Sequence, residues 1–424
     1  MSLVKKYPLV CIFAVAVLVR VVFLLIFPLP DQIGGDFELY QRIADSIIAE
    51  GNFGGEPQKT YGSPSISPGW AFFLAGWEFF FGKSVISLVS ASVLLGGLLS
   101  VGVYMLADLF FKRRAALIAG MVSVLWPVFI IQTFSYGSSL LLYTTVLLWS
   151  VLLWVYAMRE GRALWSACSG VLLGFAMLVD AIAFFIPLIF LIWALLFYRS
   201  RRSMLSILVF FIGISLVLAP WAYRNTLVAT QMGVLDTAPI ISKGELKQIA
   251  PERLLFMTKL VGADGVLLSG LSKIYVFPYN ISALDHRPVE TEAERIAFSY
   301  KERLLSMMQG ENIELSDKER IVLVVKIIIT LLHWLLLTFA AVAIVFLMRM
   351  HQWSYPVLII LLAGYVTAAV IGFGSLAQDD FQSISGPNSF LFPLVPLFII
   401  LASFSLMSLY EKIRARKAVA SWLQ

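Results

Sequence analysis

The chain has 424 residues, of which 60% are hydrophobic and only 14% charged, against about 25% charged in an average soluble domain. This composition excludes an ordinary soluble enzyme. The formal net charge of +6 does not point to a nucleic-acid partner, because Lys and Arg fall in short clusters between apolar runs, where they act as topology signals.

A helix needs about 20 apolar residues to cross the hydrocarbon core, and runs of that length recur from end to end. The first, 8–28, follows Lys5 and Lys6 like a secretory signal. Its apolar core is too long for one and lacks a small-residue cleavage pattern, so it reads as a retained span. Further spans are expected near 85–111, 114–134, 138–158, 163–180, 181–199, 203–222, 320–348, 354–376 and 388–410. The expected fold is therefore an all-α polytopic protein of about ten transmembrane helices, forming one integral membrane domain over 1–424. Cys11 and Cys168 lie inside apolar runs and read as packing residues.

A cytoplasmic N-terminus places every basic cluster inside. These are Lys112-Arg113-Arg114, Arg159-Glu160-Gly161-Arg162, Arg199-Ser200-Arg201-Arg202, Arg349 with His351, and the tail from Lys412 to Lys417. Both termini are then cytoplasmic, and two long loops, 29–84 and 223–319, lie outside. Membrane lipids are partners by composition alone.

The first outer loop contains Gly34-Gly35, Gly54-Gly55 and several prolines. From Asp36 to Ala49, Phe37, Leu39, Ile43, Ile47 and Ile48 fall toward one side, which predicts an interfacial amphipathic helix. The aromatic run Gly69–Phe81 is too short for an ordinary span and predicts a re-entrant or surface-lying helix. In the second loop, Glu245–Leu260 and Glu290–Met308 are helix candidates.

Asp36 and Glu38 begin the predicted interfacial helix, where negative charge is favoured. A helix cap and a carboxylate base held at the membrane surface both fit this position. Arg20 and Asp180 lie within or at the edge of spans, where an ionisable group is costly and is usually paired inside the bundle. His286 and His333 have no Cys or second His at ligand spacing. Asp379 and Asp380 read as a solvated acidic turn. No cofactor is required by the sequence, and no residue pattern supports a divalent cation.

Four strings, in order, resemble the GT-C superfamily of polyprenyl-phosphate-sugar-dependent glycosyltransferases, which includes protein O-mannosyltransferases and the aminoarabinose transferases of lipid A. Gly35-Asp36-Phe37-Glu38-Leu39-Tyr40 with Ile43-Ala44 looks like the acidic first-loop motif. Ser67-Pro68-Gly69-Trp70 running to Phe81-Gly82-Lys83-Ser84 is similar to the proline-rich segment that follows. Ala219-Pro220-Trp221-Ala222-Tyr223-Arg224-Asn225 is the most specific match, to the exit from a span into the large outer loop. Phe392-Pro393-Leu394-Val395-Pro396 looks like the late proline-spaced span. Two departures bear on donor phosphate recognition: Asp180 stands where relatives often have arginine-proline, and Ser389 where a basic residue often precedes the late prolines.

The resemblance implies a GT-C-like membrane fold and transfer of a sugar from a polyprenyl phosphate to a lipid, glycan or protein acceptor, with inversion. Asp36 takes the position of the general base, and Glu38 that of a partner which holds the acceptor or orients a basic side chain. Toward the donor phosphate it implies Tyr40, Lys59, Arg224, Asn225 and Lys326. An ordinary solvated lysine also explains Lys59, and snorkelling to the headgroups explains Lys326. Localisation in a bacterial inner membrane follows from the same resemblance. A transporter or flippase of a lipid-linked saccharide and a non-catalytic glycolipid-binding envelope protein are the alternatives. The first is opposed by the lack of repeated halves and matched broken spans.

Overall fold

The computed structural model describes residues 6–26, 37–53, 67–134, 139–198, 200–231, 317–363 and 394–422. Regular structure among them is helical: α1 (Pro8–Ile26), α2 (Phe37–Glu50), α3 (Gly69–Phe81), α4 (Val85–Phe110), α5 (Arg113–Leu125), α6 (Pro127–Phe134), α7 (Leu140–Glu160), α8 (Ala163–Val179), a 3-10 turn (Ala181–Phe185), α9 (Ile186–Phe197), α10 (Arg201–Gln231), α11 (Asp317–Arg349), α12 (Ser354–Ala363) and α13 (Val395–Trp422). The expected all-α membrane fold is borne out.

Among the described residues, six helices are long and apolar enough to cross a bilayer, and seven if α5 and α6 form one bent span. The expected count of ten is not confirmed among the described residues. The predicted single span 114–134 is instead two helices meeting at 46°. Pro127 supplies no amide hydrogen and its ring opposes continuation from the preceding turn, so the chain breaks at Trp126. At positions 163–180 and 181–199 the structure has shorter apolar helices, Ala163–Val179 and Ala183–Phe197, and of the expected span 354–376 the described part is the helix Ser354–Ala363. The helix candidates of the second outer loop, and residues 364–393 with Asp379, Asp380 and Ser389, lie outside the described residues.

Lipid offers no hydrophobic drive between helices, so close approach and internal hydrogen bonds hold the bundle. Helices α8 and α10 pack along each other through glycines: a Cβ on Gly170 would stand 2.1 Å from the Phe210 carbonyl oxygen, and one on Gly213 2.6 Å from that of Ala167. Ser150 of α7 and Ser169 of α8 exchange hydroxyl-to-carbonyl bonds of 2.9 and 2.8 Å. Trp154, Phe190 and Phe210 stack in the space among α7, α9 and α10. Many large apolar side chains, such as Leu25, Ile86 and Leu216, point outward, as lipid contact requires.

The basic connections gather at one end. Lys112 pairs with Glu411 at 3.3 Å, and the Arg159 guanidinium lies 4.5 Å over the Phe110 ring while donating to the Leu109 carbonyl. Gly161, left-handed at φ +64°, closes α7 beside Arg202. Helices α2 and α3 lie against the opposite ends of α4, α8 and α10, through contacts described below.

Inside the bundle Arg20 is fully buried. Its Nη1 donates to the Ala16 carbonyl at 3.0 Å, while Nε and Nη2 have no hydrogen-bond partner among the described residues. The ion pair expected for a buried arginine is thus absent from the described residues; the side chain instead occupies space left by Gly96, where a Cβ would stand 2.2 Å from Nε.

Candidate functional site at the loop-bearing end

Helix α2 forms where the amphipathic pattern predicts it. Ile43 and Ala44 are buried, and Phe37, Tyr40 and Ile47 pack on the core. Ile48, expected on the same face, is exposed instead, as are Ala49 and Glu50 with it in the last turn of the helix. Glu38 projects to solvent and pairs with Arg42 one turn later at 3.7 Å, the spacing that brings side chains together on a helix.

Helix α3 buries Trp70, Ala71, Leu74, Ala75 and Glu78, one stripe at helical spacing, and exposes Phe79 and Phe80. Gly82, at φ +78°, ends it. Trp77 Nε1 then donates 2.9 Å to the Ser87 carbonyl in the first turn of α4, and Ser84 caps that helix by accepting from the Ser87 amide. At its start α3 approaches α8 closely: a Cβ on Gly69 would stand 2.5 Å from the Val179 amide nitrogen. The Gly in the Ser67-Pro68-Gly69-Trp70 string is therefore what lets the first loop dock beside Asp180.

Two side-chain ties join α2 to α3 and to the turn that follows it. Gln41 Nε2 donates to both oxygens of Glu78, at 3.0 and 2.9 Å, and Lys83 Nζ reaches both oxygens of Asp45, at 2.8 and 2.7 Å. Burial pushes the Glu78 carboxyl above its ordinary range; the Gln41 bond and the Lys83 charge oppose that shift, and the Asp45 charge adds to it.

Arg224, at the far end of α10, meets the same loop. Its Nη2 donates 3.2 Å to the carbonyl of Phe53, and its guanidinium lies 5.2 Å from the Phe53 ring centroid and 4.8 Å from that of Trp221. Nη1 donates 3.0 Å to Asn225 Oδ1. Phe53, Phe72 and Trp221 are in mutual ring contact, at centroid separations of 4.7, 5.6 and 6.0 Å. An arginine oriented by an aromatic wall is suited to a phosphate or carboxylate, whose geometry its planar fork matches.

Of the residues singled out from the sequence, the structure places Glu38 and Tyr40 on α2, and Arg224 and Asn225 on α10, with Arg224 against Phe53 of the first loop. Asp36 and Lys59 lie outside the described residues, as does the side chain of Lys326 on α11. Sequence reasoning missed Gln41, Glu78, Phe53 and Phe72. For Glu78 a signal existed: it is the one charge in an otherwise apolar thirteen-residue helix. Among the described residues, no group of three or more His, Cys, Asp or Glu is placed to hold a metal ion.

The segment holding α3 to the outer part of α10 carries a family match. Residues 64–223 match the family model of dolichyl-phosphate-mannose-protein mannosyltransferases. The match ends one residue before Arg224. The fold is similar to that of the Archaeoglobus fulgidus oligosaccharyltransferase in its apo form, at a TM-score of 0.57 and 15% identity over 100% of this chain and 53% of that one. It is similar to the same archaeal enzyme, AglB, in complex with an inhibitory peptide and a dolichol-phosphate, at 0.56 and 15% over 99% and 52%. A looser likeness, 0.42 at 15% over 96% and 78%, is to ArnT from Cupriavidus metallidurans bound to undecaprenyl phosphate. The chain thus spans about half the length of the archaeal chains it matches. No curated protein matches it. The resemblance read from the sequence is borne out as a resemblance: the matched segment is similar to a mannosyltransferase family, and the fold is similar to that of an oligosaccharyltransferase.

Proposed function

We propose that this protein transfers a sugar from a polyprenyl phosphate to an acceptor at the loop-bearing membrane face, with inversion at the anomeric carbon. The observation that carries this reading is the union of the first loop with the end of α10, where Arg224 is held against Phe53 and Trp221 beside a segment matching lipid-phosphate-dependent mannosyltransferases. The dolichol-phosphate bound by a structurally similar enzyme supports the same donor class.

In this reaction the acceptor hydroxyl or amine attacks the anomeric carbon, and the bond from that carbon to the phosphate oxygen breaks with its electron pair left on the phosphate. The leaving group is already a stable anion, so one base suffices, unlike glycoside hydrolysis with its paired carboxylates. Asp36 takes the acceptor proton. Glu38, paired with Arg42, orients that basic side chain. Arg224 steadies charge on the phosphate, with Tyr40, Lys59, Asn225 and Lys326 assigned to the same donor. The positive-inside rule places the basic end in the cytoplasm and the site on the outer face, of a bacterial inner membrane.

The test is transfer of radiolabelled sugar from polyprenyl phosphates to candidate acceptors by purified protein in lipid nanodiscs, comparing wild type with Asp36→Asn. Loss of product in the variant is expected. Robust transfer by Asp36→Asn removes the base role, and movement of the labelled lipid across vesicles with no new glycosidic product favours a flippase instead.

A further inference from the structure

We propose that the Gln41–Glu78 hydrogen-bond fork, backed by the Asp45–Lys83 pair, is a positioning clamp that sets the rotation of α2 on α3 and so aims Glu38 in the first turn of α2. This rests on the transfer reaction proposed above.

The apolar stripe of Phe37, Tyr40, Ile43, Ala44 and Ile47 sets which side of α2 faces the core, but only Ile43 and Ala44 are fully buried, so packing fixes the face more than the angle within it. The clamp supplies the missing direction: one amide nitrogen serves both oxygens of a carboxylate across 37 positions of sequence. Gln41 lies three residues after Glu38, about one helical turn, so a rotation at Gln41 is carried directly to Glu38.

Stability does not account for the choice of residue at position 78. A buried carboxylate costs free energy that a methionine or leucine avoids, and the rest of α3 is apolar. Glu78 is only 4% exposed, whereas the Asp45 and Lys83 side chains are 46% and 57% exposed, so that pair adds registration more than stability.

The experiment compares the full-length wild type with Gln41→Met, Glu78→Met, the double methionine variant, and the exchange Gln41→Glu with Glu78→Gln. All are assayed in nanodiscs with a polyprenyl-phosphate sugar and acceptor, and by thermal unfolding. Each single change is expected to lower kcat, by up to about 100-fold, the scale of a small misplacement of a reacting group, while the donor KM stays near the wild-type value. The double methionine variant is expected to unfold no earlier than wild type and yet to keep the low kcat, which a merely structural role does not produce. The exchange rebuilds a carboxylate–amide pair and is expected to recover most of kcat.

Activity that tracks unfolding temperature across the set overturns the clamp, as does a loss confined to KM, or an exchange no better than the worse single change. A wild type that performs no transfer overturns the reaction, and the clamp's role in it, while unfolding of the same proteins still reads whether the two side chains are coupled.

Discussion

Arg224 donates to the backbone carbonyl of Phe53, 171 positions earlier in the chain, and this bond joins the segment after α2, in the first loop, to the outer part of α10. Two segments that the sequence singled out separately thus share one wall, formed by Phe53, Phe72 and Trp221.

Removing the guanidinium breaks this junction. Arg224→Ala is expected to raise the donor KM by about 10- to 100-fold, corresponding to the roughly 1.5–3 kcal/mol of a hydrogen bond to a charged group. Arg224→Lys is expected to recover little, since a point charge does not reproduce the planar fork that reaches both Phe53 and Asn225. Donor titration in the transfer assay measures both, and wild-type KM in Arg224→Ala removes the arginine from the donor site.

Gly96 exists where Arg20 needs room. Gly96→Ala places a methyl 2.2 Å from Arg20 Nε, and the side chain is fully buried, so overpacking is expected to cost about 1–3 kcal/mol. Arg20→Met gives up the hydrogen bond to Ala16 and removes a buried charge, so it is expected to be neutral or stabilising. The double variant is expected to unfold near the wild-type temperature. If Gly96→Ala alone leaves unfolding unchanged, the packing described here is wrong.

Glu78 makes stability depend on pH. Its folded carboxyl binds a proton more readily than in the unfolded chain because burial disfavours the charge. The stabilising contribution is therefore full below the ordinary carboxyl range and is lost as pH rises through the raised value. Asp45, Lys83 and Gln41 are the groups that act on it. The difference in unfolding temperature between wild type and Glu78→Gln is expected to shift against wild type as pH rises across that window, and a difference that is flat with pH contradicts the assigned burial.

Apolar run length made the membrane helices legible, and 3.6-residue periodicity made α2 legible, because both are local properties of the chain. The break at Trp126–Pro127 was written in the sequence as well, but its hydrophobicity hid it. The site was legible only in part: Trp221, Arg224 and Asn225 stood in a specific string, whereas Phe53 and Phe72 became meaningful only once α10 was brought against the first loop. Gln41 and Glu78 are a long-range pair whose partners, 37 positions apart, announce nothing locally beyond one charge in an aromatic helix. Gly170, Gly174 and Gly213 carried packing information of the small-residue kind, which run length does not register.

The contact between α8 and α10 offers a clean comparison between two glycines. A Cβ at Gly170 would stand 2.1 Å from the Phe210 carbonyl oxygen and 3.0 Å from its carbonyl carbon, backbone atoms that move only if α10 moves. Gly170→Ala is expected to separate the helices and destabilise the bundle by about 1–3 kcal/mol or more. At Gly76, on α3, a Cβ meets nothing within 4 Å, and Gly76→Ala is expected to stabilise by about 0.5–1 kcal/mol through helix propensity alone. Thermal unfolding of the two variants in the same detergent measures the contrast. Because α10 carries Arg224, Gly170→Ala is also expected to weaken donor binding from the opposite part of the helix, whereas Gly76→Ala is expected to leave it unchanged; equal unfolding temperatures for the two variants count against the close packing of α8 and α10.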